Sequence, residues 1–124
     1  MSAEPAVDLD GALRWVGGDR RLLLELIGLF VEDLPGRVTG LKEASATRDV
    51  RQLERLAHSL KASAAILGAG DLRGAALALE EAVRSRRLDA APGLLADLER
   101  EAGRVSAFFD DPAWRTRLEG GAPA

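Results

Sequence analysis

Leu23, Ile27, Phe30, Leu34, Val38 and Leu41 recur at steps of three and four, the spacing that gathers side chains on one face of an α-helix. Three later segments repeat the pattern: Val50, Leu53, Ala57, Leu60, Ala64 and Leu67; then Leu72, Ala75, Ala76, Leu79, Ala82 and Val83; then Leu94, Leu95, Leu98, Ala102, Val105 and Phe109. Four such stripes in 124 residues make one domain, too short for a cofactor domain plus a substrate domain. Hydrophobic residues form 47% of the chain and aromatics 4%, with alanine, leucine and arginine dominant, a mixture that favours helix over strand.

Start and stop signals set the boundaries. A short first helix over 8–16 closes at Gly17 and Gly18, and Asp19 caps a second helix over 20–46,. Pro35 and Gly36 should bend that helix without breaking it, because the stripe continues in phase,. A third helix over 49–67 ends at Gly68, Ala69 and Gly70, and Asp71 is placed to cap a fourth, which gives way near 84–87,. The fifth, over 90–109, tolerates Pro92 in its first turn and stops at Asp110, Asp111 and Pro112,. The expected fold is all-α: an antiparallel up-and-down four-helix bundle over 1–111, with the short N-terminal helix as a lid over one end. The tail 112–124, which ends Gly-Gly-Ala-Pro-Ala, is expected to pack loosely or be disordered,.

Composition removes several functions. The formal charge is -3 and acids alternate with bases, so no basic stripe offers itself to nucleic acid. There is no cysteine, hence no disulfide framework, thiolate nucleophile or thiolate metal site. No apolar run reaches the length of a membrane span, and the polar start MSAEPAVDLD is no secretory signal,. A cytoplasmic monomer without membrane contact is expected. A metal enzyme would need clustered histidines or cysteines, and a serine hydrolase a strained nucleophile turn with a buried acid and base; neither pattern is present.

What remains is His58, the chain's single histidine. At about 100° per residue it lies roughly 140° from the centre of its helix's apolar stripe, facing outward. Glu54, Arg55, Lys61 and Ala62 stand one turn away, Arg51 and Ala65 two turns away,. The hairpin of the third and fourth helices turns near Ala69, and His58 and Glu80 lie equally far from it, so antiparallel packing brings them to one height. A carboxylate there can accept Nδ1–H of His58, fixing the tautomer and leaving Nε2 as an exposed nucleophile. Lys61 and Arg84 would then offset the charge of a group carried on Nε2. Ala62 and Ala65 leave room for an in-line partner, and Glu54, Arg55, Ala62, Ala65 and Arg84 form the surface it would meet. Phosphoryl transfer is the chemistry this arrangement suits, because the protein's part is positioning and charge compensation.

The stretch His58-Ser59-Leu60-Lys61-Ala62-Ser63, with Leu67-Gly68 after it and Leu79-Glu80 on the next helix, resembles the histidine phosphotransfer domain of bacterial two-component phosphorelays. Its pattern is H-x-L-K-G-S, then L-G, then L-E. Leu29-Phe30-Val31-Glu32-Asp33-Leu34-Pro35 resembles the family's second helix, so the likeness spans nearly all of 8–109. The resemblance implies that His58 takes a phosphoryl group from a receiver-domain aspartate and returns it to another, with Lys61 assisting and Glu80 orienting the ring. It implies response-regulator receiver domains, and a hybrid sensor histidine kinase, as partners, with Mg²⁺ supplied by the receiver. The chain would then be a phosphocarrier without turnover, cofactor or metal of its own. Ala62 departs from the family glycine by one methyl. An autokinase dimerisation helix would resemble H-E-x-x-x-P at the histidine, whereas Ser59 follows His58 here. The alternative function is a bundle adaptor that binds a receiver or kinase without phosphotransfer.

Overall fold

The computed structural model describes residues 5–119. Among these described residues six α-helices follow one another: α1 (Leu9–Trp15), α2 (Arg20–Ala46), α3 (Val50–Ile66), α4 (Gly70–Arg84), α5 (Ala91–Asp110) and α6 (Ala113–Glu119), with a 3₁₀ turn at Leu88–Ala90 before α5. α3 packs on α2 and α4, α5 packs on α4, and α2 closes the ring against α5. This is the four-helix bundle expected from the periodicity, and no strand occurs among the described residues.

Asp8, Asp19 and Asp49 each precede a helix and accept a backbone N–H three residues on, from Gly11, Leu22 and Gln52 at 3.0–3.1 Å, the side-chain capping that satisfies an orphan donor of the first turn. α2 runs through Pro35 without interruption. The stripes close over a core in which Leu23, Leu41, Leu53, Leu60, Leu72, Leu79 and Leu98 are sealed from solvent.

Two expectations are corrected. Asp71 does not cap α4; the position before the helix is Ala69, with no side-chain cap. Gly68, at φ +70°, turns the chain so tightly that the helix begins at Gly70, which leaves Asp71 inside the first turn. There its charge favours the helix N-terminus, and it accepts a hydrogen bond from Arg104 of α5 at 2.9 Å. The second correction concerns the tail. Over 113–119 it forms α6, in which Trp114 and Leu118 are buried. Asp111 accepts the Ala113 N–H at 2.9 Å, and the Trp114 indole N–H donates to the Phe109 carbonyl at 2.8 Å while its ring meets Phe109 edge-on. Residues 120–124 of the expected tail lie outside the described residues.

The same glycine fixes the N-terminal segment. Asp8 donates its N–H to the Gly68 carbonyl at 2.9 Å, and a Cβ on Gly68 would stand 2.4 Å from the Asp8 carbonyl oxygen. Gly17 also has positive φ, but a Cβ there would meet open space. Gly17→Ala should therefore cost only the left-handed penalty of about 1–2 kcal/mol. Gly68→Ala should cost clearly more, because the backbone around Asp8 must move as well. Urea unfolding of the two variants tests this; equal losses would show that the Asp8–Gly68 contact does not constrain the fold.

Candidate functional site

Leu53, Ala57, Leu60 and Ala64 are buried on α3, and their burial turns His58 to the surface, where 59% of its side chain is exposed. On α4 the buried set is Leu72, Ala76, Leu79, Ala82 and Val83, and it includes Glu80, fully buried. The sequence places Glu80 beside the apolar stripe; the structure puts it inside. Alanines 57, 64 and 76, with no exposed surface, let α3 and α4 come close enough for the carboxylate to reach across.

Glu80 gathers three partners. His58 Nδ1 lies 2.6 Å from Oε2, Lys61 Nζ donates to Oε1 at 2.6 Å, and Arg84 Nη2 lies 3.0 Å from Oε2. Arg84 also donates through Nε to Glu54 at 2.7 Å. With Nδ1–H donated to a carboxylate, a neutral ring carries its lone pair on Nε2. Burial pushes the Glu80 carboxyl upward, but hydrogen bonds from Lys61 and His58 and the charges of Lys61 and Arg84 outweigh it and hold the group below its ordinary value,. The Glu54 hydrogen bond and the Glu80 charge in turn hold Arg84 above its ordinary value.

The residues expected at the site are thus distributed as follows. His58, Glu80, Lys61, Arg84 and Glu54 meet in one network. Lys61 and Arg84, however, spend their charge on Glu80 rather than standing free, and Lys61 is 20% exposed. Arg55 is tethered to Gln52 at 2.7 and 3.1 Å. It lines, with Arg51, Glu54, His58 and Arg84, an open cleft of about 330 Å³. Ala62 is exposed. Ala65 lies further from the ring, in a cleft with Pro5, Asp8 and Gly68. One residue was missed: Arg37 of α2, whose Nη1 donates to Ser63 Oγ at 3.1 Å and weakly to Ser59 Oγ at 3.5 Å. Its place one turn beyond Leu34 and two beyond Phe30, beside the apolar stripe, was the available signal,.

Among the described residues no group of three or more His, Cys, Asp or Glu side chains is placed to hold a metal ion. Nor is any helix long and apolar enough to cross a membrane. The arrangement presents an oriented imidazole with an accessible Nε2 on a small-residue ridge.

The chain and its fold are similar to those of known proteins. A family model for the Hpt domain matches residues 25–108. The crystal structure of histidine-containing phosphotransfer protein B (HptB) from Pseudomonas aeruginosa PAO1 superposes with a TM-score of 0.81 at 31% sequence identity, covering 94% of this chain and 100% of that one. No match is found among curated proteins.

The Glu80 network has a pH signature. A carboxyl held below its ordinary value stabilises the fold fully above the ordinary value of 4.5. That contribution is lost as pH falls from there through the lower folded value. Glu80→Gln should remove this part of the acid sensitivity, so chemical denaturation from about pH 6 to about pH 3 should give a shallower fall than in the wild type. An identical fall in both proteins would show that the buried carboxylate is not what acid attacks.

Proposed function

The chain belongs to the Hpt family, which carries out histidine phosphotransfer in phosphorelays, and we propose that His58 is its phosphoacceptor, Glu80 the group that orients the ring, and Lys61 an electrostatic assistant acting through Glu80. One observation carries this reading: Nδ1 of an exposed imidazole 2.6 Å from a fully buried carboxylate. A histidine at the surface for solubility alone has no need of such a partner.

In the reaction, the Nε2 lone pair attacks the phosphorus of an aspartyl phosphate on the receiver. The N–P bond forms as the P–O bond to the aspartate breaks, and the carboxylate leaves with the electron pair. The reverse step passes the group to a second receiver. The proton stays on Nδ1 of His58, which donates it to Glu80 throughout, so the positive charge that develops on the ring is stabilised in place,. Mg²⁺ belongs to the receiver in this scheme, and the carrier performs no turnover without a partner. The carrier works as a cytoplasmic monomer. The partner docks over α2 and α3, where Leu29 is 59% exposed and Leu22 also reaches solvent. Glu54, Arg55, Ala62, Ala65 and Arg84 then lie at or beyond the edge of contact. The complex is weak, because a shuttle has to release what it binds.

Mixing the protein with a labelled phosphoreceiver and Mg²⁺ should label the wild type and leave His58→Gln, equally folded, unlabelled. The label should be lost in acid and kept in base. Uptake by His58→Gln would move the acceptor elsewhere, and failure of the wild type across a panel of receivers would favour the adaptor. Lys61→Ala should slow transfer about tenfold, the rate equivalent of about 1.4 kcal/mol, without abolishing it. Unchanged rates would reduce Lys61 to a counter-ion of Glu80.

A further inference from the structure

Lys61 and Arg84 face the carboxylates of Glu80 and Glu54, two cations against two anions, so the cluster around His58 Nδ1 is already balanced. Arg37 differs. Its guanidinium rests on two neutral hydroxyls, at 3.1 and 3.5 Å, and no carboxylate among the described residues comes within ion-pair distance of it; even Asp33, one turn earlier, does not pair. Bonds to neutral acceptors hold a cation less firmly than bonds to a carboxylate.

Its position gives that charge a use. Ser59 follows His58, and Ser59 and Ser63 lie on the flank of α3 that faces α2, opposite the flank that carries Lys61. Arg37 is half-buried and, with Ser63, forms the polar end of a groove of about 210 Å³ whose walls are Leu26, Leu29, Phe30, Ile66 and Leu67 and which Asp33 also lines without pairing with the guanidinium. An apolar strip that ends in a cation without an ion-pair partner has the anatomy of a docking surface with its charged rim.

Resting on the phosphocarrier reading, we propose that Arg37 determines specificity: the serine hydroxyls park its guanidinium in the free carrier, and docking exchanges them for an acidic side chain of the receiver domain beside His58. The complementary charge on the partner is negative, since Arg51 and Arg55 on the neighbouring turns of α3 also lack a carboxylate partner among the described residues. A receiver offering a basic residue at that point meets repulsion, so the same arginine rejects it.

The test measures transfer from a phosphorylated receiver at varied receiver concentration, separating the half-saturating concentration from the limiting rate. Full-length wild type is compared with Arg37→Gln, Arg37→Glu and the double variant Ser59→Ala/Ser63→Ala. Charge reversal should raise the half-saturating concentration about tenfold or more, the neutral variant less, with limiting rates within about twofold. Added salt should narrow the gap between wild type and Arg37→Glu. The double serine variant should bind as well as wild type or better, since it unparks the guanidinium. Wild-type half-saturation in Arg37→Glu overturns the proposal. So does a serine variant impaired as much as Arg37→Gln, which makes Arg37 a clamp between α2 and α3. A fall confined to the limiting rate also overturns it, by placing Arg37 on the phosphoryl group. A labelled wild type in these experiments leaves the carrier reading standing on its own; a wild type that takes no label removes both.

Discussion

A carboxylate with no exposed surface is tolerated in a protein interior only if its charge is met, because desolvation of an unpaired ion costs several kcal/mol. Glu80 is in that position, and its partners come from two helices: His58 and Lys61 from α3, Arg84 from its own α4. The register between α3 and α4 is therefore fixed by the same atoms that orient the imidazole. A slip of one helical turn between α3 and α4, about 5.4 Å, would part the carboxylate from His58 and Lys61 and leave only Arg84 of its own helix to meet its charge. Fold and site cannot drift independently.

If His58 is the phosphoacceptor proposed above, that arrangement also sets how it would treat a phosphoryl group. A cluster rich in free cations would hold the group tightly and resist giving it up. Around Glu80 the charges already cancel, so on the proposed reading a negative charge arriving on Nε2 would be met by what can be redirected from Glu80, by Arg51 and Arg55 of the open cleft and by what the partner brings. A carrier profits from this. Differential stabilisation belongs at the in-line transition state rather than on the loaded carrier, and it is supplied when the two proteins are in contact.

The helices were legible in the sequence because each of the four stripes is long, and α2 follows Asp19, whose side chain closes its first turn. Those signals placed α2 over its observed span despite Pro35. Asp71 misled because capping depends on where the preceding turn ends, and the left-handed Gly68 decides that. α6 was missed for another reason: its order rests on Trp114 finding Phe109, a packing contact that no local pattern announces. The height of Glu80 could be counted from the hairpin. Its depth could not, since that depends on alanines at the α3–α4 contact. The pairing of Lys61 with Glu80, and of Arg37 with Ser59 and Ser63, depends on rotation between helices, which a period of 3.6 residues does not specify.

The accessory pieces explain why the ridge at His58 stays open. Asp8 is tied to Gly68 at the α3–α4 turn, Arg104 bridges to Asp71 beside it, and Trp114 packs on Phe109 where α5 ends. All three contacts seal the same end of the bundle. Arg117 of α6 even comes within 3.9 Å of Asp10 of α1, an exposed pair too weak to matter alone but one that records how the two short helices meet there. His58 stands two to three turns away along α3, about 12–15 Å at 1.5 Å per residue, so nothing that closes the end of the core overhangs the imidazole. The bundle gains its closure at one end and keeps the α2–α3 face free, and a partner can approach Nε2 in line without displacing any part of the fold.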